Sequence, residues 1–92
     1  MKPLSHAMPG AVAELLRTAP LSPGKVEFAW KTAVGPALER TTSVRLEGTQ
    51  LLVDAVNAQW AGEVSRSSRV ILSRLQLLLG KTTVTEITVR RL

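Results

Sequence analysis

From Gln50 to Gly80 the chain reads as a short strand feeding one long helix, and this pairing constrains what every other segment can do. Gln50-Leu51-Leu52-Val53-Asp54-Ala55-Val56 has the aliphatic and β-branched content of a strand, and Asn57 stands where a helix N-cap belongs. Beyond it Trp60, Val64, Ile71, Leu75 and Leu78 fall on one stripe at 3.6 residues per turn. Gln59, Gly62, Arg66, Arg69, Ser73 and Gln76 occupy the opposite side, so the helix is amphipathic and its stripe must face a core. Gly80, beside Lys81, supplies the stop.

A core that serves this helix has to come from the rest of a 92-residue chain, which is enough for one domain and too little for a second core. A single domain over 1–92 is expected, with 1–9 flexible. The 45% apolar and 21% charged content is that of a globular chain, and no apolar run spans a bilayer. Met1-Lys2-Pro3-Leu4-Ser5-His6 lacks the apolar segment of a secretory signal. Without cysteine there is no disulfide framework, thiolate nucleophile or cysteine metal site, which points to the cytoplasm.

Ahead of the strand, Ala11, Val12, Leu15, Leu16 and Ala19 predict a helix over Ala7–Ala19, closed by Pro20-Leu21-Ser22-Pro23-Gly24. From Lys25 a second helix sets Val26, Trp30, Ala33 and Ala37 on one stripe. Gly35-Pro36 interrupts it, because proline lacks an N–H and disfavours an α conformation at the residue before it; a kink or a short segment over Pro36–Arg40 is expected. Thr41–Glu47 alternates Thr42, Val44 and Leu46 against Ser43, Arg45 and Glu47, and Gly48 turns it into Gln50 as a hairpin. Thr83–Arg90 alternates Thr85, Ile87 and Val89 against Val84, Glu86, Thr88 and Arg90, a third strand. The order ααββαβ predicts an α+β domain, a three-stranded sheet with helices packed on one face and a right-handed crossover into the last strand.

Most catalytic chemistry lacks its residues. His6 is the only histidine, so neither a histidine metal site nor a Ser-His-Asp arrangement can be assembled around Ser65, Ser67, Ser68 or Ser73. Asp54 and Glu63 are the carboxylates nearest the strand–helix junction, and nothing in their spacing implies shared burial. No two glycines stand three apart, which excludes a dinucleotide fingerprint and the G-x-x-G clamp of nucleic-acid-binding KH domains. No enzyme activity, cofactor, metal or small-molecule substrate is expected. Twelve Lys and Arg against seven Asp and Glu give +5, which permits a polyanionic partner, but the cations are scattered singly as on any solvated surface. Phe28, Trp30 and Trp60 are the only aromatic residues and both tryptophans fall on apolar stripes, so core packing outweighs base stacking.

Four stretches taken together resemble the DciA family: Phe28-x-Trp30-x-x-Ala33-Val34-Gly35-Pro36-Ala37-Leu38, Glu47-Gly48-Thr49-Gln50-Leu51-Leu52-Val53-Asp54-Ala55, Ala58-Gln59-Trp60-Ala61, and Leu75-Gln76-Leu77-Leu78-Leu79-Gly80. Their order and spacing match from about Glu14 to the C-terminus. The resemblance implies a KH-like domain and a role in bacterial chromosome replication, in which DciA proteins associate with the replicative helicase DnaB and promote its loading on DNA. The family's usual basic extension is not expected here, with only Met1 to about Pro9 ahead of the matched stretch. The matching residues Trp30, Val34, Gly35, Leu51, Val53 and Trp60 read as architectural. A free-standing KH-like nucleic-acid-binding module is the alternative.

Three expectations follow for surfaces and core. Trp60 should pack against the second helix near Trp30 or Val34. The outer sheet face should show Ser43, Arg45, Leu52, Asp54, Glu86, Thr88 and Arg90, leaving weak, sequence-indifferent contact with single- or double-stranded DNA to Lys31, Arg45, Arg66, Arg69 and Arg74. Val70 and Leu77 lie opposite the core stripe among Arg66, Ser73 and Arg74; either another helix covers them or, with Arg66 and Arg74, they bind a partner. The partner is the DnaB-type helicase, and no membrane is involved; the protein is expected in the cytoplasm with the nucleoid.

Overall fold

A computed structural model of the chain describes residues 20–91; the helix expected over Ala7–Ala19 lies outside them. The described order is α1 (Pro23–Val34), α2 (Pro36–Thr41), β1 (Thr42–Glu47), β2 (Gln50–Ala55), α3 (Ala58–Arg66), α4 (Ser68–Leu79) and β3 (Glu86–Arg91). The strands form one mixed sheet in the order β1-β2-β3, with β1 antiparallel and β3 parallel to the central β2. The fold is α+β.

Local chemistry sets most boundaries. Ser22 caps α1, its Oγ accepting from the Lys25 N–H at 3.1 Å, and Pro23 begins the helix where its missing N–H costs nothing. At Gly35 the backbone reaches φ 85°, ψ 175°, a conformation that side-chain-bearing residues avoid, and Pro36 opens α2 behind it. A Cβ at Gly35 would meet nothing within 4 Å, so the Gly35→Ala effect is backbone strain alone. We expect it to lower stability by about 1–3 kcal/mol in urea titrations. Asn57 caps α3 as its position foretells, Oδ1 accepting from the Trp60 N–H at 3.0 Å.

The sheet register gives each face its character. Leu46-Leu51-Ile87 and Val44-Val53-Val89 lie side by side on the face turned to the helices. Buried Val26, Ala29, Trp30 and Ala33 from α1, Val64 from α3, and Ile71, Leu75, Leu78 and Leu79 from α4 pack with them. Among the described residues no polar or charged side chain is buried, so the core is held by apolar contact. Trp30 joins this core to β1 through its indole N–H, which donates to Thr42 Oγ1 at 2.9 Å.

Four details depart from the sequence pattern. The single long helix is two, broken at Ser67, whose φ −102° and ψ 7° leave the α basin. Its N–H is shared between the Glu63 and Val64 carbonyls, each at 3.2 Å, while its own carbonyl starts the next helix by accepting from Ile71 at 2.9 Å. Three serines in Ser65-Arg66-Ser67-Ser68 supply the weakness, since serine competes for local backbone hydrogen bonds. The break lets α3 lie along β2 and β3 while α4 packs against α1.

The second departure follows from the first. Trp60 is only half-buried and takes no part in the core cluster, because α4 and not α3 is the partner of α1. Of its expected packing near Trp30 or Val34, a place in one core with Trp30 is therefore not met. Third, β3 begins at Glu86 rather than Thr83, and Val84, assigned to the outer series, is fully buried. Gln76 Nε2 donates to the Val84 carbonyl at 3.0 Å and fixes this loop against α4. Fourth, Ala37 is exposed, because the turn at Gly35 takes it off the α1 stripe.

Candidate interaction surfaces

The outer face of the sheet is a charge-compensated floor. Ser43-Asp54-Arg90, Arg45-Leu52-Thr88 and Glu47-Gln50-Glu86 form its three cross-strand rows. Arg90 grips Asp54 through Nε and Nη2 at 2.9 and 3.2 Å, Arg45 Nε meets Glu47 at 2.8 Å, and Gln50 Nε2 donates to Thr88 Oγ1. Leu52, expected on show, sits on the central strand between Arg45 and Thr88 and is 8% exposed. The face offers no ring for stacking and little uncompensated charge to a phosphate.

The five nucleic-acid candidates do not converge on one patch. Arg45 lies on the outer sheet face and is paired, whereas the other four belong to the helices. Arg66 is held by Glu63 at 3.1 Å on the same helix. Arg74 reaches from α4 to α1, where Nη1 donates to the Ala33 carbonyl at 3.0 Å, placing a cation at the electronegative end of that helix. Lys31 and Arg69 are exposed and make no ion pair among the described residues. Burial was not predictable for these residues, but the capping role of Arg74 had a signal: a long cation on the helix that packs beside the end of α1.

This division separates architectural from available charge. Arg74→Ala is expected to lower stability by about 1 kcal/mol, the worth of a hydrogen bond from a charged donor discounted for exposure. Arg69→Ala is expected to stay within about 0.5 kcal/mol of the parent, as surface substitutions do, while weakening DNA binding. Paired urea titrations and fluorescence anisotropy with oligothymidylate check both.

On α4, Val70 and Leu77 are 53% and 67% exposed, and no helix among the described residues buries them. They stand two turns apart, about 10 Å along the axis. Leu77 borders a shallow cleft of about 280 Å³ with Ser73, Gln76 and Lys81. The arginines expected to ring this pair are partly engaged, Arg66 with Glu63 and Arg74 with α1. What remains is an apolar centre with a polar, cationic rim.

No helix among the described residues is long and apolar enough to cross a membrane, and none of them form a group of three or more metal-type ligands. No curated protein matches the chain. The family model described as Dna(CI) antecedent, DciA, matches residues 3–89, nearly the whole length. That family is associated with the replicative helicase DnaB in DNA replication. This α+β domain, with Trp30, Leu51 and Val53 of the first two stretches buried in its core and a match to that model almost end to end, belongs to the DciA family.

Proposed function

We propose that this chain is a replication accessory protein that binds the DnaB-type helicase and helps its recruitment or loading on DNA. The observation that carries the proposal is the family match over residues 3–89. The exposed Val70 and Leu77 on α4 support a docking role for that helix, since an apolar centre with a polar rim is how protein interfaces are built. Arg66 and Arg74 contribute aliphatic stems and residual charge beside them. DNA is held weakly, by Lys31 and Arg69 first and by the paired Arg45, Arg66 and Arg74 less. A KH-like arrangement of ααββαβ order, and a place in the cytoplasm with the nucleoid, belong to the same proposal. It assigns the protein no catalytic step.

The alternative, a free-standing nucleic-acid-binding module, is disfavoured by the compensated sheet face. Two measurements on the intact chain separate them: binding to purified DnaB-type helicase, and binding to oligothymidylate as salt rises. We expect a helicase complex that persists at salt concentrations where DNA binding has been lost. Tight binding to one short sequence at high salt, without a helicase complex, would overturn the proposal.

A further inference from the structure

A groove runs between α1 and the free edge of the sheet. β1 is an edge strand, with β2 on one side and no strand on the other among the described residues. Two clefts meet along it, sharing Val44. The wider, about 370 Å³, is walled by Leu21, Pro23 and Val26 and continues along Val44, Arg45 and Leu46. The narrower, about 180 Å³, is bounded by Glu27 and Glu39 and continues along Thr42, Ser43 and Val44. Successive side chains of a strand point to opposite faces. A groove that touches five consecutive residues, Thr42 to Leu46, therefore follows the strand's edge and not one face, so it borders the side of β1 where backbone groups lack a ladder partner.

The two halves differ in chemistry. The wider half is mostly apolar, with Ser22 and the Glu47-paired Arg45 as its polar members. At the narrower half Glu27 is exposed and Glu39 half-buried, and neither makes an ion pair among the described residues, although Lys31 and Arg40 are close in sequence. Of the other carboxylates among the described residues, Glu47, Glu63 and Asp54 each have an arginine, while Glu86 stands alone on the outer sheet face. Two uncompensated carboxylates repel a phosphate backbone and attract a cation, so charge selects against nucleic acid here.

We propose that this groove binds an extended segment of another protein that adds a strand to β1, sets an apolar side chain against Leu21, Val26 and Leu46, and places a lysine or arginine between Glu27 and Glu39. Same-face side chains in a strand recur about every 6.7 Å. The apolar and basic residues should accordingly be two or four positions apart. Main-chain hydrogen bonds give such a complex its affinity and the two clefts its selectivity. The surface is distinct from the α4 flank and does not depend on the helicase assignment.

The test titrates the full ¹⁵N-labelled chain with two blocked heptapeptides, acetyl-TVTVTKT-amide and the same sequence with glutamate in place of lysine. We expect the lysine peptide to shift the amide signals of Thr42 to Leu46, and the glutamate peptide to bind at least about tenfold more weakly. The double variant Glu27→Gln, Glu39→Gln should lose the same factor for the lysine peptide while keeping its circular dichroism. The peptide comparison is made on the unaltered chain, so the outcome does not hinge on how the variant folds. Equal binding of the two peptides, shifts that bypass β1, or full affinity in the folded variant would overturn the proposal. Oligothymidylate shifting the amides of Thr42 to Val44, which border Glu27 and Glu39, would also overturn it in favour of a nucleic-acid groove, and concentration-dependent shifts without peptide would do so in favour of self-association.

Discussion

Replacing Trp30 with alanine is expected to destabilise the protein by about 3–5 kcal/mol, the range for removing a large buried aromatic side chain. A small domain has roughly 5–15 kcal/mol in all, so the variant should be near the limit of folding. Trp30 is 2% exposed and packed in the cluster that joins α1, α4 and the sheet. It also supplies the indole N–H that holds Thr42 at the start of β1. Trp30→Phe keeps much of the packing and removes this donor, so a smaller loss of about 1–2 kcal/mol is expected. Trp60→Ala serves as the contrast. Half-buried and outside the cluster, Trp60 should cost about 1 kcal/mol, close to the average for a point substitution. Urea titrations of the three variants test the assignment, and a Trp60→Ala loss exceeding that of Trp30→Ala would contradict it.

The two tryptophans also show where sequence pattern stops informing on structure. Both lie on apolar stripes at helical spacing, and periodicity says only that a face is turned inward, not which element meets it. That second fact depends on the break at Ser67, which the pattern conceals because Val64, Ile71 and Leu75 keep helical spacing across it. Serine's modest helix penalty is too small to end a helix by itself and shows its effect only when the packing of α3 on the sheet and α4 on α1 favours a bend. By contrast, Gly35-Pro36, Asn57, Gly48 and Gly80 set boundaries that could be read directly. Each acts through local sterics or a cap: Gly35, Gly48 and Gly80 have φ of 85°, 62° and 104°. The hairpin register was legible too, since a shift of one residue would turn Val44, Leu46, Leu51 and Val53 away from the core.

Surfaces were less legible than the fold. The sequence placed Val70 and Leu77 opposite the core stripe, and the structure leaves both exposed. It could not show that Arg74 would be tied to Ala33, or that Arg45 and Arg66 would be paired, because these are relations between side-chain reach and neighbouring elements. Glu27 and Glu39 drew no notice as residues outside a helical stripe. Their joint position beside β1 exists only once the strand lies along α1 and α2.

Docking of α4 onto the helicase is the second large expected effect. Val70→Asp together with Leu77→Asp places two carboxylates at the apolar centre of the surface. Both positions are more than half exposed, so no buried charge results and the fold should survive. Aspartate's poorer helix propensity lowers stability by about 1 kcal/mol for the pair, or about 4–8 °C in Tm. Binding should suffer far more, because truncating or charging the centre of an interface removes the contacts that dominate its energy. The decisive measurement is a calorimetric titration of the DnaB-type helicase with the parent and the double variant, after circular dichroism has shown both to be folded. We predict a loss of at least about 100-fold in affinity, nearly 3 kcal/mol. A folded double variant that binds the helicase as tightly as the parent would contradict the assignment of α4 as the docking surface.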